Sequence, residues 1–277
     1  MDRTQVKVAV LLTCYNRKEK TIACLKSLAN QNPGYDLRFV VTDDNSSDGT
    51  VSALQESGLT VKILSGDGNL FWNGGMRKAI SYALQKNDWY DYVMLVNDDV
   101  LFYPGIVDLL YHRLMENEGE VVVGSTEDTG GRTSYGGVIC LSRHFAKFRL
   151  QEPTENPVFC DTFNCNCVFM SKEIFFQAGN LDKHYTHSMG DYDYGMKLVR
   201  KGLRIINSEK HVGKCDDNED AGTWRDTNLS RKQRLQKKES AKGLPRKDWF
   251  YFVKKNYGLF PAIYHTITPY IRILIGK

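Results

Sequence analysis

What this chain of 277 residues does not contain narrows its class before any motif is read. No uninterrupted run of about 20 apolar residues occurs, the length a spanning helix needs. The most apolar stretch, Leu259–Ile275, is broken by Pro261, His265, Pro269 and Arg272, so it is not expected to cross a bilayer. No charged segment followed by an apolar one opens the sequence, so no signal peptide is expected. The seven cysteines are odd in number and form no regular framework. Together these features suggest reduced thiols and a cytoplasmic setting. Cys160, Cys165 and Cys167 cluster, yet Cys165-Asn166-Cys167 is CxC with no matching pair after it, which is not zinc spacing. Buried structural thiols are the expectation, with Cys165 and Cys167 on one face of a strand through Thr162–Met170. Internal repeats are lacking, and 42% hydrophobic with 25% charged residues excludes a disordered or collagen-like chain.

What is present is unevenly distributed. The net charge of +4 conceals a segment, residues 225–255, with 11 Lys/Arg against 3 Asp/Glu, so the first 224 residues are net acidic. Those 224 residues read as one domain, divided near residue 125, with 225–277 as a basic, aromatic helical tail.

Through residue 125 short apolar runs alternate with helical patterns. Val6–Thr13, Leu37–Thr42, Leu59–Leu64 and Tyr92–Val96 read as strands. Helices are expected over Lys18–Asn30 (stopped by Asn32-Pro33-Gly34), Asp48–Ser57, a stretch after Gly75, and Gly105–Leu114. This alternation is the pattern of an α/β fold with a largely parallel, Rossmann-like central sheet and helices on both faces. Such sheets bind ligands beyond the carboxyl ends of their strands. The polar clusters Thr13–Arg17, Asp43–Asp48 and Asn97–Asp99 all fall there. Past residue 126 the expectation is strands at Val138–Leu141 and Thr162–Met170, a helix over Asp191–Lys201, a strand at Leu203–Asn207 and an acidic loop over Asp216–Gly222.

Each cluster has a plain structural reading beside a chemical one. Asp43-Asp44-Asn45-Ser46-Ser47-Asp48 can be an Asx turn with a helix cap, which accounts for Ser47 or Asp48 but not for two adjacent carboxylates at a strand end. Asn97-Asp98-Asp99 offers hard oxygen ligands suited to Mg²⁺ or Mn²⁺, which commonly share their shell with phosphates. Gly66–Arg77 places glycines ahead of an expected helix, where backbone N–H groups can approach an anion, and Trp72 offers a stacking face. Asp191 and Asp193 stand at a helix start, where acids also favour the dipole.

Taken in order, Thr13-Cys14-Tyr15-Asn16-Arg17, then DDNSSDGT, then NDD, then GDYD resemble the GT-A fold glycosyltransferases of family 2. The NGG loop and HVGK at His211 look most like the rhamnosyltransferase and galactofuranosyltransferase branch. The resemblance spans roughly residues 6–215. It implies donor-binding roles for Thr13, Tyr15, Asn16, Arg17, Asp43, Asp44, Trp72, Gly74, Gly75, Arg77, Asn97 and Asp98. It implies metal binding by Asp99 and His211, and Asp191 as catalytic base. Two positions depart from the pattern: Asn97 stands at the first DxD position, and Gly190 where many relatives carry an acid.

The function these features imply is inverting transfer of a sugar from a nucleotide-diphosphate donor to a hydroxyl, with Mg²⁺ or Mn²⁺. The resemblance suggests dTDP-rhamnose, UDP-galactofuranose or a UDP-hexose as donor. It suggests a lipid-linked or glycan acceptor, as in bacterial surface polysaccharide assembly, and no nucleic acid partner. A sugar-phosphate nucleotidyltransferase would need a glycine-rich loop after the first strand, where TCYNR stands instead. A non-catalytic nucleotide-sugar-binding protein is the other alternative. The tail, with aromatics from Trp249 to Tyr270 behind a basic run from Arg231 to Lys247, suggests a peripheral position on the inner face of the cytoplasmic membrane.

Overall fold

The computed structural model describes residues 5–31, 34–116, 120–216 and 220–276. The helix stop expected at Asn32-Pro33 and the middle of the acidic loop expected over 216–222 lie outside the described residues.

The first part of the chain runs β1 (Val6–Cys14), α1 (Lys18–Ala29), β2 (Tyr35–Asp43), α2 (Thr50–Glu56), β3 (Val61–Ser65), α3 (Phe71–Gln85), β4 (Tyr92–Val96), β5 (Leu101–Phe102) and α4 (Ile106–Glu116). The second part continues with β6 (Val121–Glu127), β7 (Thr133–Tyr135), β8 (Gly137–Cys140), β9 (Phe148–Leu150), β10 (Phe159–Cys160), β11 (Thr162–Phe163), β12 (Cys167–Ser171), α5 (Lys172–Ala178), α6 (Gly190–Arg200) and β13 (Ile205–Lys214). The tail is α7 (Arg231–Glu239), α8 (Arg246–Tyr257) and α9 (Leu259–Leu274).

The main sheet has the order β10-β13-β6-β12-β4-β1-β2-β3. β1 pairs in parallel with both β2 and β4, and β2 with β3. β13 is parallel to β6, while β12 runs against both β4 and β6. β1 is central and buried from Val8 onward, which is why it reads as an unbroken apolar run rather than an alternation. Helices cover both faces. α1, α2 and α4 bury Leu25, Leu28, Leu54, Val107 and Leu110 on one, and α3, α5 and α6 bury Met76, Ile80, Phe175 and Leu198 on the other. The two cores lie on opposite sides of a single sheet, and a division at residue 125 falls inside β6.

The structure revises three sequence expectations. The Val121–Glu127 strand was not anticipated, because only three valines mark it behind a charged segment. Thr162–Met170 is not one strand. β11 belongs to a separate three-stranded sheet, β11-β8-β9, and β12 to the main one. The polar Asn164–Asn166 stretch makes the break, with the Asn164 amide donating to the Gly136 carbonyl. Cys165 and Cys167 consequently enter the two opposite cores rather than one face. Finally, α3 begins at Phe71, so Gly74 and Gly75 are in the helix and not in a loop ahead of it.

The tail is packed onto the body. Phe252 and Val253 are fully buried, and Trp249, Tyr251 and Tyr257 pack with Tyr185, Tyr192, Met196 and Phe148 in a third apolar cluster. Lys255 donates to Asp182 at 2.8 Å and to Asp193 at 2.7 Å. The second acid of GDYD is therefore the post on which α8 docks. Lys238 is fully buried, bonded to Glu239 and to the Leu244 carbonyl, with its ammonium 4.1 Å from the Tyr270 ring centre. No helix among the described residues is long and apolar enough to cross a membrane.

Candidate active site

Loops at the carboxyl ends of β1, β2, β3 and β4 build the cleft. The first two are tied together: the Asn16 amide donates to Ser46 Oγ (2.9 Å), the Ser47 amide to Asn16 Oδ1 (2.7 Å), and the Lys18 amide to Asp48 Oδ2 (2.9 Å). Asn16, Asn45, Phe71 and Met189 are the non-glycine residues with positive φ among those described, and all four lie in these loops or at the start of α6. Left-handed backbone is unfavourable for such residues, above all for an aromatic one, and it tends to collect at functional sites. Tyr15 leaves the β1 loop half-exposed, while Thr13 is buried and donates to the Thr42 carbonyl at 3.0 Å.

The Asp43-Asp44 pair is buried and engaged by backbone. Asp43 accepts from the Ser46 amide (2.9 Å) and the Cys14 thiol (3.7 Å). Asp44 accepts from the Gly68 amide (2.8 Å) and the Phe71 amide (3.0 Å), one on each oxygen. It thereby pins the loop from Gly66 to Phe71; a Cβ at Gly66 would lie 2.4 Å from Asp44 Oδ1. The glycine pair NGG serves packing: a Cβ on Gly75 would lie 2.0 Å from Thr13 Oγ1, so only glycine lets α3 approach β1 this closely. The Gly74 amide is committed inside the helix to the Leu70 carbonyl, and Arg77 donates to the Leu181 carbonyl, away from the expected donor contact.

The Asn97-Asp98-Asp99 cluster is satisfied by side chains instead. The Trp72 indole donates to Asn97 Oδ1 at 2.7 Å. Arg17 spans both acids, 3.2 Å from Asp98 and 2.7 Å from Asp99. Burial, opposed by Arg17, pushes the Asp98 carboxyl up to about 6. Asp99 also accepts from the Cys215 thiol at 3.6 Å. That thiol is pushed up to about 12 by burial and by Asp99, which keeps it a protonated donor.

Asp191 stands in the first turn of α6. It accepts from the Tyr192 amide at 2.8 Å, and the Cys165 backbone also bonds it, yet burial outweighs both and pushes its carboxyl up to about 6. Next to Cys165, the Asn166 carbonyl accepts from the Asn97 amide (3.3 Å) and its side-chain amide reaches Cys215 Sγ (3.4 Å). A chain of contacts therefore links Asp191, through the Cys165–Asn166 backbone and Cys215, to Asp99. The start of α6 abuts the start of α3, since a Cβ on Gly190 would lie 2.2 Å from Oδ1 of the buried Asn73. No room is left for a side chain at Gly190, where the resemblance leads one to expect an acid.

Sequence reasoning missed four residues here. Asn166 and Cys215 connect Asp191 to Asp99. His187 accepts from the Trp72 amide at 3.4 Å; burial, with Lys242 and Arg17 close by, lowers its imidazole to about 4, so it is neutral. Lys242 comes from the tail, where Ser188 Oγ donates to the neighbouring Gly243 carbonyl at 3.2 Å. Only long-range packing reveals these contacts.

His211 is placed differently from the other candidates. Its Nδ1 lies 3.3 Å from Glu127 and its Nε2 2.8 Å from Thr133 Oγ1, so both ring nitrogens are engaged on the β6–β7 side. No group of three or more His, Cys, Asp or Glu side chains that could hold a metal occurs among the described residues. The donor set at Asp98 and Asp99 nevertheless fits a divalent cation. Two adjacent carboxylates draw a guanidinium between them, and Mg²⁺-type ions take one or two carboxylates and complete their shell from phosphate and water.

Comparison with known proteins places this geometry. The profile of Glycosyl transferase family 2 matches residues 9–175. An N-acetylglucosaminyl-diphospho-decaprenol L-rhamnosyltransferase of Mycobacterium tuberculosis is 24% identical over 221 residues, 70% of each chain. Protein RfbJ of Shigella flexneri is 26% identical over 130 residues, covering 46% of this chain and 92% of RfbJ. Among solved structures, S. aureus TarS 1–349 in complex with UDP-GlcNAc aligns with TM-score 0.61 at 15% identity, over 97% of this chain and 81% of TarS. A Pyrobaculum calidifontis mannosyltransferase in complex with GDP-Man and Mn²⁺ aligns with TM-score 0.56 at 16% identity, over 98% of this chain and 75% of that one. These two share the fold.

Proposed function

The chain belongs to glycosyl transferase family 2 and is a glycosyltransferase, and from that premise we propose that it moves a sugar, with inversion, from a nucleotide-diphosphate donor to a hydroxyl on a lipid-linked acceptor in bacterial surface polysaccharide assembly. The observation that carries the reading is the chain of contacts between two acids at the strand ends. Asp191, a carboxylate of raised basicity, and Asp99, an acid balanced by an exchangeable cation, are joined through Asn166 and Cys215.

Asp191 takes the acceptor hydroxyl's proton as that oxygen attacks the anomeric carbon. The new carbon–oxygen bond forms as the bond to the diphosphate breaks, and the electron pair leaves with the nucleoside diphosphate. A carboxyl near 6 is still ionised at neutral pH and is a stronger base than an ordinary aspartate. Asp99 would hold a Mg²⁺ or Mn²⁺ ion, and such an ion would supply Lewis-acid stabilisation of the leaving diphosphate. Arg17 and Lys242 add positive charge on the same side, and neutral His187 adds none. Asp44 acts at one remove, fixing the loop before α3, while Tyr15 offers a ring for the nucleotide base. His211 is assigned to the β6–β7 network with Glu127 and Thr133 and not to the metal.

The rhamnosyltransferase relative supports a lipid-linked acceptor and a deoxyhexose donor such as dTDP-rhamnose, ahead of UDP-galactofuranose or a UDP-hexose. A lipid-linked acceptor places the enzyme at the cytoplasmic face of the membrane. A thermal-shift panel of UDP, dTDP, GDP and CMP, each with and without Mn²⁺, tests the donor half. At a hundredfold excess over its dissociation constant the right nucleotide stabilises by about 2.7 kcal/mol. No shift with any nucleotide overturns the reading.

A further inference from the structure

The tail's two last helices face opposite ways. α8 turns its rings into the body, whereas α9 buries only Ala262, Thr266, Pro269 and Ile273. Its other side presents Phe260, Ile263, Tyr264, Ile267, Ile271 and Leu274, each 44–84% exposed and spaced three or four apart on one stripe. α9 contains no acidic residue.

A second, separate piece of chain extends this surface. The β8–β9 turn lies beside α9, with the Phe145 ring edge-on to Tyr264 and His265 at 5.8 and 5.9 Å between centroids. Leu141 and Phe145 on it are each 47% exposed. The turn and β9 carry Arg143, Lys147 and Arg149, all exposed, and again no acid between 141 and 150. An apolar stripe thus runs into an apolar turn whose own charged residues are all cations.

We propose that the outer face of α9 and the Leu141–Arg149 hairpin together form a docking surface for an anionic lipid bilayer, with α9 lying in the plane of the headgroups. Cations without any acid match anionic headgroups, and Phe260, Tyr264 and Phe145 provide the aromatic bodies that settle at that depth. α9 has 16 residues, about 24 Å of helix, and lies flat without spanning. The surface is not the basic run of α7, whose Arg234 and Lys238 are turned inward. β8 also pairs with β11, and Thr162 of β11 donates to the Tyr192 carbonyl in α6 at 2.7 Å. A bilayer seated on the hairpin is held at a fixed relation to Asp191. This deepens, and rests on, the reading of a lipid-linked acceptor.

The test is flotation of the full chain with vesicles of phosphatidylcholine alone and with about a third phosphatidylglycerol, alongside UDP, dTDP and GDP binding in Mn²⁺. The unaltered chain is expected to float with anionic vesicles and to be released as salt rises. The triple substitution Phe260→Ser, Ile263→Ser, Ile267→Ser is expected to lower vesicle partitioning at least tenfold while nucleotide binding and melting temperature hold. Arg143→Glu with Lys147→Glu is expected to remove the preference for anionic vesicles and most of the salt effect. Flotation unchanged by either variant, or no flotation of the unaltered chain, overturns the proposal. So does a soluble dimer that the triple variant dissolves, since the face is then covered by a second copy. Nucleotide binding that persists through such a failure leaves the transferase reading standing, and its loss with flotation intact overturns that reading instead.

Discussion

Two adjacent-aspartate pairs sit at neighbouring strand ends, and the fold uses them in opposite ways. Asp43-Asp44 after β2 is engaged mainly by backbone amides of Ser46, Gly68 and Phe71. Asp98-Asp99 after β4 is engaged by Arg17, Thr21 and Cys215, all side chains. Backbone amides cannot leave without unmaking a loop, whereas a guanidinium or a thiol can swing aside for a ligand. In the proposed mechanism the first pair supports the loops and the second is available for chemistry. Asp191 combines the two conditions: amides fix its position, yet burial keeps its carboxyl near 6.

Substitutions can break or sharpen this contrast. The largest expected effect belongs to Asp191→Asn, which removes the base and lowers kcat by about 10²–10⁴-fold while the donor nucleotide still binds in calorimetry. In the unaltered enzyme the same group makes kcat/KM fall as pH drops below about 6, where the carboxylate is protonated. Next comes Asp99→Asn, for which a rate loss on the order of 10²–10³-fold and weakened Mn²⁺ activation are expected with the melting temperature nearly unchanged. If Asp99→Asn instead unfolds the protein, the second pair is scaffold too.

Asp44→Asn tests the other side. It leaves the Gly68 or the Phe71 amide without its acceptor, a cost of about 1–3 kcal/mol, read as a lower melting temperature. The sign reverses at Asp191. A folded-state value of about 6, well above that of an ordinary aspartate, means that its charge opposes folding, so its contribution to stability is greatest below the ordinary carboxylate value and is lost as pH rises toward 6. Asp191→Asn is expected to stabilise the protein at pH 7 by about 1–2 kcal/mol, seen in urea unfolding. The smallest effect is expected at His211. His211→Gln should shift the Mn²⁺ half-saturation by less than about tenfold, below what even an outer-shell partner of a metal usually costs.

The sequence made some of this legible and hid the rest for physical reasons. Strand ends could be read because a buried parallel strand is an apolar run and its ligand end is where polarity returns, as at Leu12–Cys14 and Val96–Asp98. The roles within each cluster could not, because a carboxylate held by amides and one held by arginine look the same in a string of letters. Gly74-Gly75 was misplaced because glycine pairs usually mark loops, and only the 2.0 Å approach to Thr13 shows why a helix needs one here. Asn166, Cys215, His187 and Lys242 entered through contacts across long stretches of chain that no local pattern carries. The tail's composition announced rings and cations, but not that α8 would spend its rings inward and α9 leave its apolar side open.

The four left-handed residues, Asn16, Asn45, Phe71 and Met189, have a consequence for how the donor arrives. Each conformation is unfavourable alone and is held by the fold around it, as Phe71 is by Asp44. The cleft's shape is therefore settled when the chain folds and does not wait for the nucleotide. Binding then immobilises the ligand and few protein torsions, so hydrogen exchange of the amides in these loops should change little when the nucleotide binds. Glycine at Phe71 would relax the strain and hand the ordering of that loop back to the donor, a gain in ease of folding set against slower, weaker capture.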